Sequence, residues 1–413
     1  MKSFLSRLLI LSALLPLSSQ AQDWTRFRGP NGTGISEART IPTQWSKSDF
    51  NWKAELPSQG HSSPVIWGDK IFLTSERAGE PGTVIYAMST DGGRMLWQHE
   101  FEFGSFRKHK YNSFASSTPT VDKDRVYVMW MTPEEFNVTA FTHSGEKVWQ
   151  QGFGSYSSQH GLGSSPILFD GKLIIPNEQL GDSFILALDP ATGKTLWKCP
   201  RTISNQTAYS TPVIYTPASG KPMLIANSRA HGIAGIDPST GKALWDYPDA
   251  FNKRSCSSPV IAGDVILGTC GSGGGGRYIV AVKPGDSTGA KASLAWKFTR
   301  NSQSPYVPTS IYRDGYIYII NDDGFGTCLE AKSGKEIWSE RLNARFFGSP
   351  VWVDGRLFAG STTGEVVVLA ASPEFKELAR NDLGENIQST PAISDGVMYV
   401  RTSNHLYSIG GKK

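Results

Sequence analysis

Histidine, cysteine and clustered carboxylates are the residues that most often hold a metal, attack a bond or move a proton. In this chain of 413 residues they are few and scattered. The seven histidines, His61, His99, His109, His143, His160, His231 and His405, show no metal-ligand spacing. Asp322-Asp323 is the nearest approach to an oxygen-rich loop for a hard cation, and ordinary turn chemistry accounts for it. There is no Gly-x-Ser-x-Gly elbow for a nucleophilic serine, and the glycine run 271–276 has no helix after it to hold a phosphate. Of the four cysteines, Cys256 and Cys270 lie symmetrically about Gly263. A three-residue turn there would set them opposite each other for a disulfide, whereas a two-residue turn would leave them out of register as separate thiols. No residue is assigned as catalytic and none to a metal.

The remaining candidates depend on the scaffold that gathers them. Residues 164–197, SSPILFDGKLIIPNEQLGDSFILALDPATGKTLW, read as four short antiparallel strands, A to D. Strand A enters through Ser-Ser-Pro, Asp170-Gly171 suits a type I′ hairpin between A and B, and DPATG suits a longer C–D turn. Copies recur along the chain. The proline opening strand A falls at Pro64, Pro119, Pro166, Pro212, Pro259, Pro308, Pro350 and Pro391, at intervals of 41 to 55 residues. The strand D tryptophan falls at Trp97, Trp149, Trp197, Trp245, Trp296 and Trp338. A four-stranded unit at this period cannot bury both of its faces alone, and the fold expected is an all-β, eight-bladed β-propeller. The seventh unit has Leu378-Ala379-Arg380 in place of the tryptophan, and the eighth stops after three strands. Residues 51–56, NWKAEL, look like the missing strand D, so the ring is expected to close where the two ends of residues 50–409 meet.

Residues 1–21 carry Lys2 and Arg7, an apolar run and small residues before Ala21, the pattern of a cleavable export signal without a lipobox. They point to a periplasmic or secreted protein with no transmembrane anchor, expected to be a monomer. The formal charge of +4 includes Lys2 and Arg7 and gives no case for nucleic acid. Residues 22–49 read as an irregular arm in which Trp24, Phe27 and Trp45 are anchors and Arg26 and Arg28 are either anion ligands or parts of a cap.

Propeller topology sends the A–B and C–D turns to one face and the B–C and D–A loops to the other. The first set is short and uniform; the second is longer and different in every blade, which is where binding is expected. Residues just before each strand A should surround the mouth of the channel: His61, Ser116, His160, Tyr209, Cys256, Tyr306, Phe347 and Gln388, with Gln159, Gln206, Arg254, Arg345 and Asn386 close by. The ligand-binding candidates among them are His61, Gln159, His160, Tyr209, Arg254, Arg345 and Gln388. The long D–A segment between Trp97 and Pro119 carries Arg107, Lys108, Lys110 and Tyr111, a basic and aromatic candidate for a partner-binding loop.

The motifs LALDPATGKTLW and IAGIDPSTGKALW resemble the pyrroloquinoline-quinone (PQQ)-like propeller repeat over residues 50–409. The resemblance implies one of two branches. Quinoprotein dehydrogenases hold PQQ with calcium, use an aspartate base, and in many members carry a disulfide between adjacent cysteines. The outer-membrane assembly factor BamB is a scaffold without chemistry. This sequence has no adjacent cysteines and no Asp-rich loop. The expectation is a non-catalytic scaffold that uses no cofactor and binds an envelope protein or a small ligand on the B–C/D–A face; the alternative is a PQQ-dependent alcohol or sugar oxidoreductase.

Overall fold

The computed structural model describes residues 23–411 except 107, 110, 219, 287 and 288. The proposed export signal, Arg107 and Lys110 therefore lie outside the described residues.

Eight sheets, each with four antiparallel strands in the order A to D, are arranged around a central channel. Blade 1 is built from Val65–Trp67, Lys70–Glu76, Gly82–Ser89 and Met95–Glu102. Its strand C is buried along its whole length and its strand D alternates, as expected where middle strands are sandwiched between blades and the outer strand faces solvent. The A–B hairpins take the conformation their residues require. Asp170 and Gly171, and likewise Asp395 and Gly396, have positive φ at both central positions, the type I′ turn.

Blade 8 comprises Ala392–Ser394, Val397–Arg401, His405–Gly410 and, from the other end of the chain, Phe50–Glu55. Trp52 pairs with Ser408 and Glu55 with His405, which seals the ring. Arg401 reinforces the seam between blades 8 and 1: its Nη1 donates to Ser62 O, Ser62 Oγ and Thr74 O, and its Nη2 to Ser75 Oγ.

The repeated tryptophan is a blade-to-blade contact. Trp197 Nε1 donates to Pro238 O at 3.0 Å and Trp149 Nε1 to Pro190 O at 3.0 Å, each reaching the C–D turn of the next blade. Trp52, Trp97, Trp296 and Trp338 do the same. The indole lies on the glycine of that turn: a Cβ on Gly241 would come within 2.5 Å of Trp197. The blade 7 exception follows from the closure. Its successor joins strands from opposite ends of the chain, so there is no C–D turn to receive an indole. Ala379 stands at that register position, Asn381 exchanges hydrogen bonds with Thr43 O and Trp45 N of the arm, and Trp45 is buried in the same core cluster.

The arm, residues 23–49, crosses the channel. Thr25 O accepts from Val121 N in blade 2, Arg26 Nη2 donates to Pro212 O in blade 4, and Asn31 pairs with the backbone of Ile214. Arg28 donates to five carbonyls, those of Gly32, Thr33, Thr309, Ser310 and Pro350. Ile35–Ser36 then adds a parallel strand to the inner edge of blade 7. Trp24 and Trp45 are core anchors as expected. Arg26 and Arg28 are latches on backbone carbonyls rather than anion ligands, and burial lowers both to about 9.

In blade 5 the turn is the two-residue Gly263-Asp264, with Ala262 paired to Val265, and all four cysteines are free thiols. Cys256 and Cys270 are consequently out of register and unbridged.

Candidate functional site

The channel is lined by a belt of hydroxyls. The N–H of Ser63 donates to Thr118 Oγ1, Thr118 to Ser165, Ser165 to Thr211, Ser258 to Thr309, Thr309 to Ser349, Ser349 to Thr390, and Thr390 back to Ser63, all at 2.9–3.1 Å. Each blade contributes one Ser or Thr at the mouth of strand A, and all but Thr211 of blade 4 donate to the next in this way, so blade spacing is set by hydrogen bonds as well as by packing. In seven blades this residue precedes the marker proline. In blade 6 it is Thr309, one residue after Pro308, so the proline counted from the sequence is displaced there and Ser310 takes its place.

Above the belt lies a cavity of about 490 Å³. The position two residues before each belt member lines it in all eight blades: His61, Ser116, Gly163, Tyr209, Cys256, Val307, Phe347 and Gln388. Six of these are the residues the sequence nominates, and the other two nominees, His160 and Tyr306, line the cavity as well. Arg345 is also in the wall. Gln159 and Arg254 stand outside the lining and hydrogen-bond each other. Gln206 and Asn386 do not line it either.

Further contributors were not nominated for the mouth from the sequence. Phe27 reaches the cavity from the arm, Arg277 from the start of strand C of blade 5 (Gly275–Lys283), and Asp322 and Asp323 from the B–C loop of blade 6. The D–A segment of blade 2 forms a roof. Asn112 Nδ2 donates to His160 O, His109 packs edge-on to His160 at 4.5 Å, and Tyr111 lies 5.6 Å from Phe347, which belongs to blade 7. The proposed partner loop thus spans the mouth. Lys108 turns back to Glu76 at 3.0 Å and lies over Phe114.

The electrostatics of the wall follow from burial. His61 is lowered to about 4 by desolvation, with Arg401 and Lys108 adding to it; His160 is lowered to about 4 by desolvation and by Arg254 and His109. Both are neutral at pH 7. Burial pushes the Cys256 thiol and the Tyr209 hydroxyl each up to about 12, so neither is a nucleophile or base near neutrality. Burial also raises the Asp322 carboxyl, which accepts the backbone N–H groups of Tyr306 at 2.7 Å and Val307 at 3.1 Å. Asp323 is held by Arg277 at 2.5 Å.

This donor set can be tested against calcium and PQQ. Among the described residues no group of three His, Cys, Asp or Glu could hold a metal. The two carboxylates in the wall are already committed to backbone N–H groups and to Arg277. A hard cation needs several free oxygens, so the residues do not fit a calcium–quinone pair.

A family model described as outer membrane protein assembly factor BamB matches residues 81–340, 286–373 and 327–410. The structure resembles BamB from Moraxella catarrhalis with a TM-score of 0.61 and 13% identity, covering 87% of this chain and 96% of that one. It also resembles a europium-containing methanol dehydrogenase, with a TM-score of 0.68, 12% identity and coverage of 94% and 98%. The quinohemoprotein alcohol dehydrogenase of Comamonas testosteroni gives a TM-score of 0.66 and 14% identity over 95% of this chain and 81% of that one. At these identities the likeness is one of fold. A curated relative, polyvinylalcohol dehydrogenase of Sphingopyxis sp. (strain 113P3), is 23% identical over 166 residues, which make up 37% of this chain and about a quarter (24%) of the relative's length. With the repeats, the closed ring and a family match over most of its length, the chain belongs to the PQQ-like β-propeller family that includes BamB.

Proposed function

We propose that the protein is an exported, non-catalytic propeller of the cell envelope that holds a small polar ligand in the chamber at its channel mouth, on the B–C/D–A face. The observation that carries this reading is the convergence of one position from each of eight blades on a single cavity, with Phe27 of the arm in its wall. At about 490 Å³ the cavity falls within the range of small-molecule sites, and polar residues predominate in its lining alongside the aromatic rings of Phe27, Tyr111, Tyr209, Tyr306 and Phe347. A binding role is supported by the high values of Cys256 and Tyr209 and by the spent carboxylates of Asp322 and Asp323. Residues 1–21 support export, and the family match to an assembly factor supports a place in the envelope, with the roof segment as the surface where a protein partner would meet a loaded chamber.

The second reading, a PQQ-dependent oxidoreductase, is favoured by one observation: the same ring architecture is shared with proteins named as alcohol and methanol dehydrogenases. The two readings share the chamber and differ in what happens there.

The test is thermal denaturation of the mature protein against a panel of sugars, alcohols, amines and carboxylates. One class is expected to raise the melting temperature in a saturable way, as any ligand that binds only the folded state must. Tyr209→Ala and Gln388→Ala should abolish the rise, and Leu196→Ala on the exposed outer strand should leave it intact. A rise that survives both chamber variants, or no rise with any class, contradicts the proposal.

A further inference from the structure

The glycine run 271–276 forms the B–C hairpin tip of blade 5, and folding explains only part of it. Gly275 and Gly276 have φ of 96° and 69°, the left-handed region that favours glycine, and a Cβ on Gly271 would come within 2.8 Å of Arg277. Gly273 has neither reason. Its φ lies outside the left-handed region, and a Cβ there would meet nothing within 4 Å. Among the described residues, Gly104 and Gly273 are the two glycines with neither a left-handed φ nor any atom that near. Glycine at such a position costs chain entropy that another residue would spare, so what it provides lies outside the hairpin.

Both positions belong to the surroundings of the chamber. Gly104 stands at the foot of the roof segment, just past strand D of blade 1, and Gly273 is exposed and lines the chamber itself. The arm crosses the channel and sends Phe27 into the cavity, so a ligand has to enter from the B–C/D–A face. On that face the roof reaches from blade 2 to Phe347 of blade 7. Among the described residues, B–C loops reach the cavity in blades 5 and 6 alone, through Gly273 and through Asp322 and Asp323. Asp323 is paired with Arg277 of strand C at 2.5 Å, so that pair adds no net charge to the rim, and the tip of blade 5 adds no side chain.

Resting on the reading of the chamber as a small-ligand site, we infer that Gly273 is its size-determining entrance residue: bare backbone at the blade 5 tip keeps a passage open across from the roof, and the width of the ligand admitted is set there. A side chain at this position has room to stand in the passage without disturbing the hairpin, so it should narrow the entrance and leave the fold intact.

The chamber carries its own reporter of access. Cys256 is half-buried and lines the cavity, whereas Cys199, Cys270 and Cys328 are buried. The experiment is modification of the full mature protein, at about pH 9, with methyl methanethiosulfonate and with its bulkier benzyl analogue, both neutral, Cys256 being followed by peptide mass mapping. Taking the ratio of the two rates cancels the thiolate fraction and leaves access. Gly273→Trp should lower the benzyl-to-methyl ratio at Cys256 at least about tenfold, with Gly273→Ala close to wild type and the melting temperature unaltered. Leu196→Trp, on the exposed outer strand of blade 3, should leave the ratio unchanged. An unchanged ratio in folded Gly273→Trp protein overturns the entrance and leaves the chamber reading standing. Wild-type Cys256 that reacts with neither reagent, while the urea-unfolded chain reacts with both, overturns the entrance and counts against the chamber as well.

Discussion

His61 and His160 are held neutral in the wall of the chamber, and this has a consequence for stability. Each has its folded value lowered to about 4 from an ordinary 6.5, so the unfolded chain binds protons more readily than the folded one. Their contribution is fully present above about pH 6.5 and is lost as the pH falls toward 4, on the order of 2–3 kcal/mol for His61 and less for the half-buried His160. Melting temperature measured against pH should be flat near neutrality and fall across that window; His61→Gln should flatten the fall, and an unchanged profile would show that His61 is not the titrating group. At this scale the sequence was informative wherever a residue's position follows from the repeat. His61, Tyr209 and Gln388 sit just ahead of strand A, and the topology alone sends them to the mouth. Phe27 and Arg277 were not legible: the place of Phe27 depends on the path of an irregular arm, and that of Arg277 on strand C of blade 5 beginning as early as Gly275, inside a glycine run with no strand pattern. The hydroxyl belt was in plain view as Ser-Ser-Pro and Ser-Thr-Pro, but its hydrogen bonds run between blades and have no local signature.

Among the elements, the repeated Thr-Gly-Lys-x-Leu-Trp motif joins two different blades. The tryptophan of one blade rests on the turn glycine of the next, and that glycine has positive φ, 75° at Gly241. Gly241→Ala adds both a strained backbone and a clash with Trp197, and should destabilise the protein by about 2–4 kcal/mol in chemical denaturation. A loss below about 0.5 kcal/mol would mean that the interface relaxes freely. The arm gives a second expectation. Arg28→Met leaves buried carbonyls of blades 6 and 7 without their donor and should cost about 3 kcal/mol or more. Limited proteolysis should then cut within residues 23–49 before it cuts any blade, and simultaneous loss of arm and blades would contradict the arm's role as a separate crossing element. The sequence identified this arm but not its route, since its anchors, Arg26 and Arg28, bond to carbonyls that only the closed ring assembles.

For the whole molecule, closure by residues 50–55 organises everything else: it completes blade 8, removes the sheet edge, and accounts for the missing tryptophan of blade 7. Trp52→Ala removes the indole bond to Thr90 O and its packing, and should cost about 2–4 kcal/mol. The variant should also elute as larger species than the wild-type protein on gel filtration, because an open blade exposes an unpaired edge. The closed ring was legible in the sequence because a strand D without A, B or C before it has only one place to go. The function was less so, since both branches of the family share every mark of the repeat. The measurement that separates them most directly is dye reduction by the purified protein incubated with PQQ and either calcium or europium, with a primary alcohol or polyvinyl alcohol as substrate. The donor set of the chamber predicts no turnover above the protein-free control. Saturable turnover that disappears in Asp322→Asn would contradict the account.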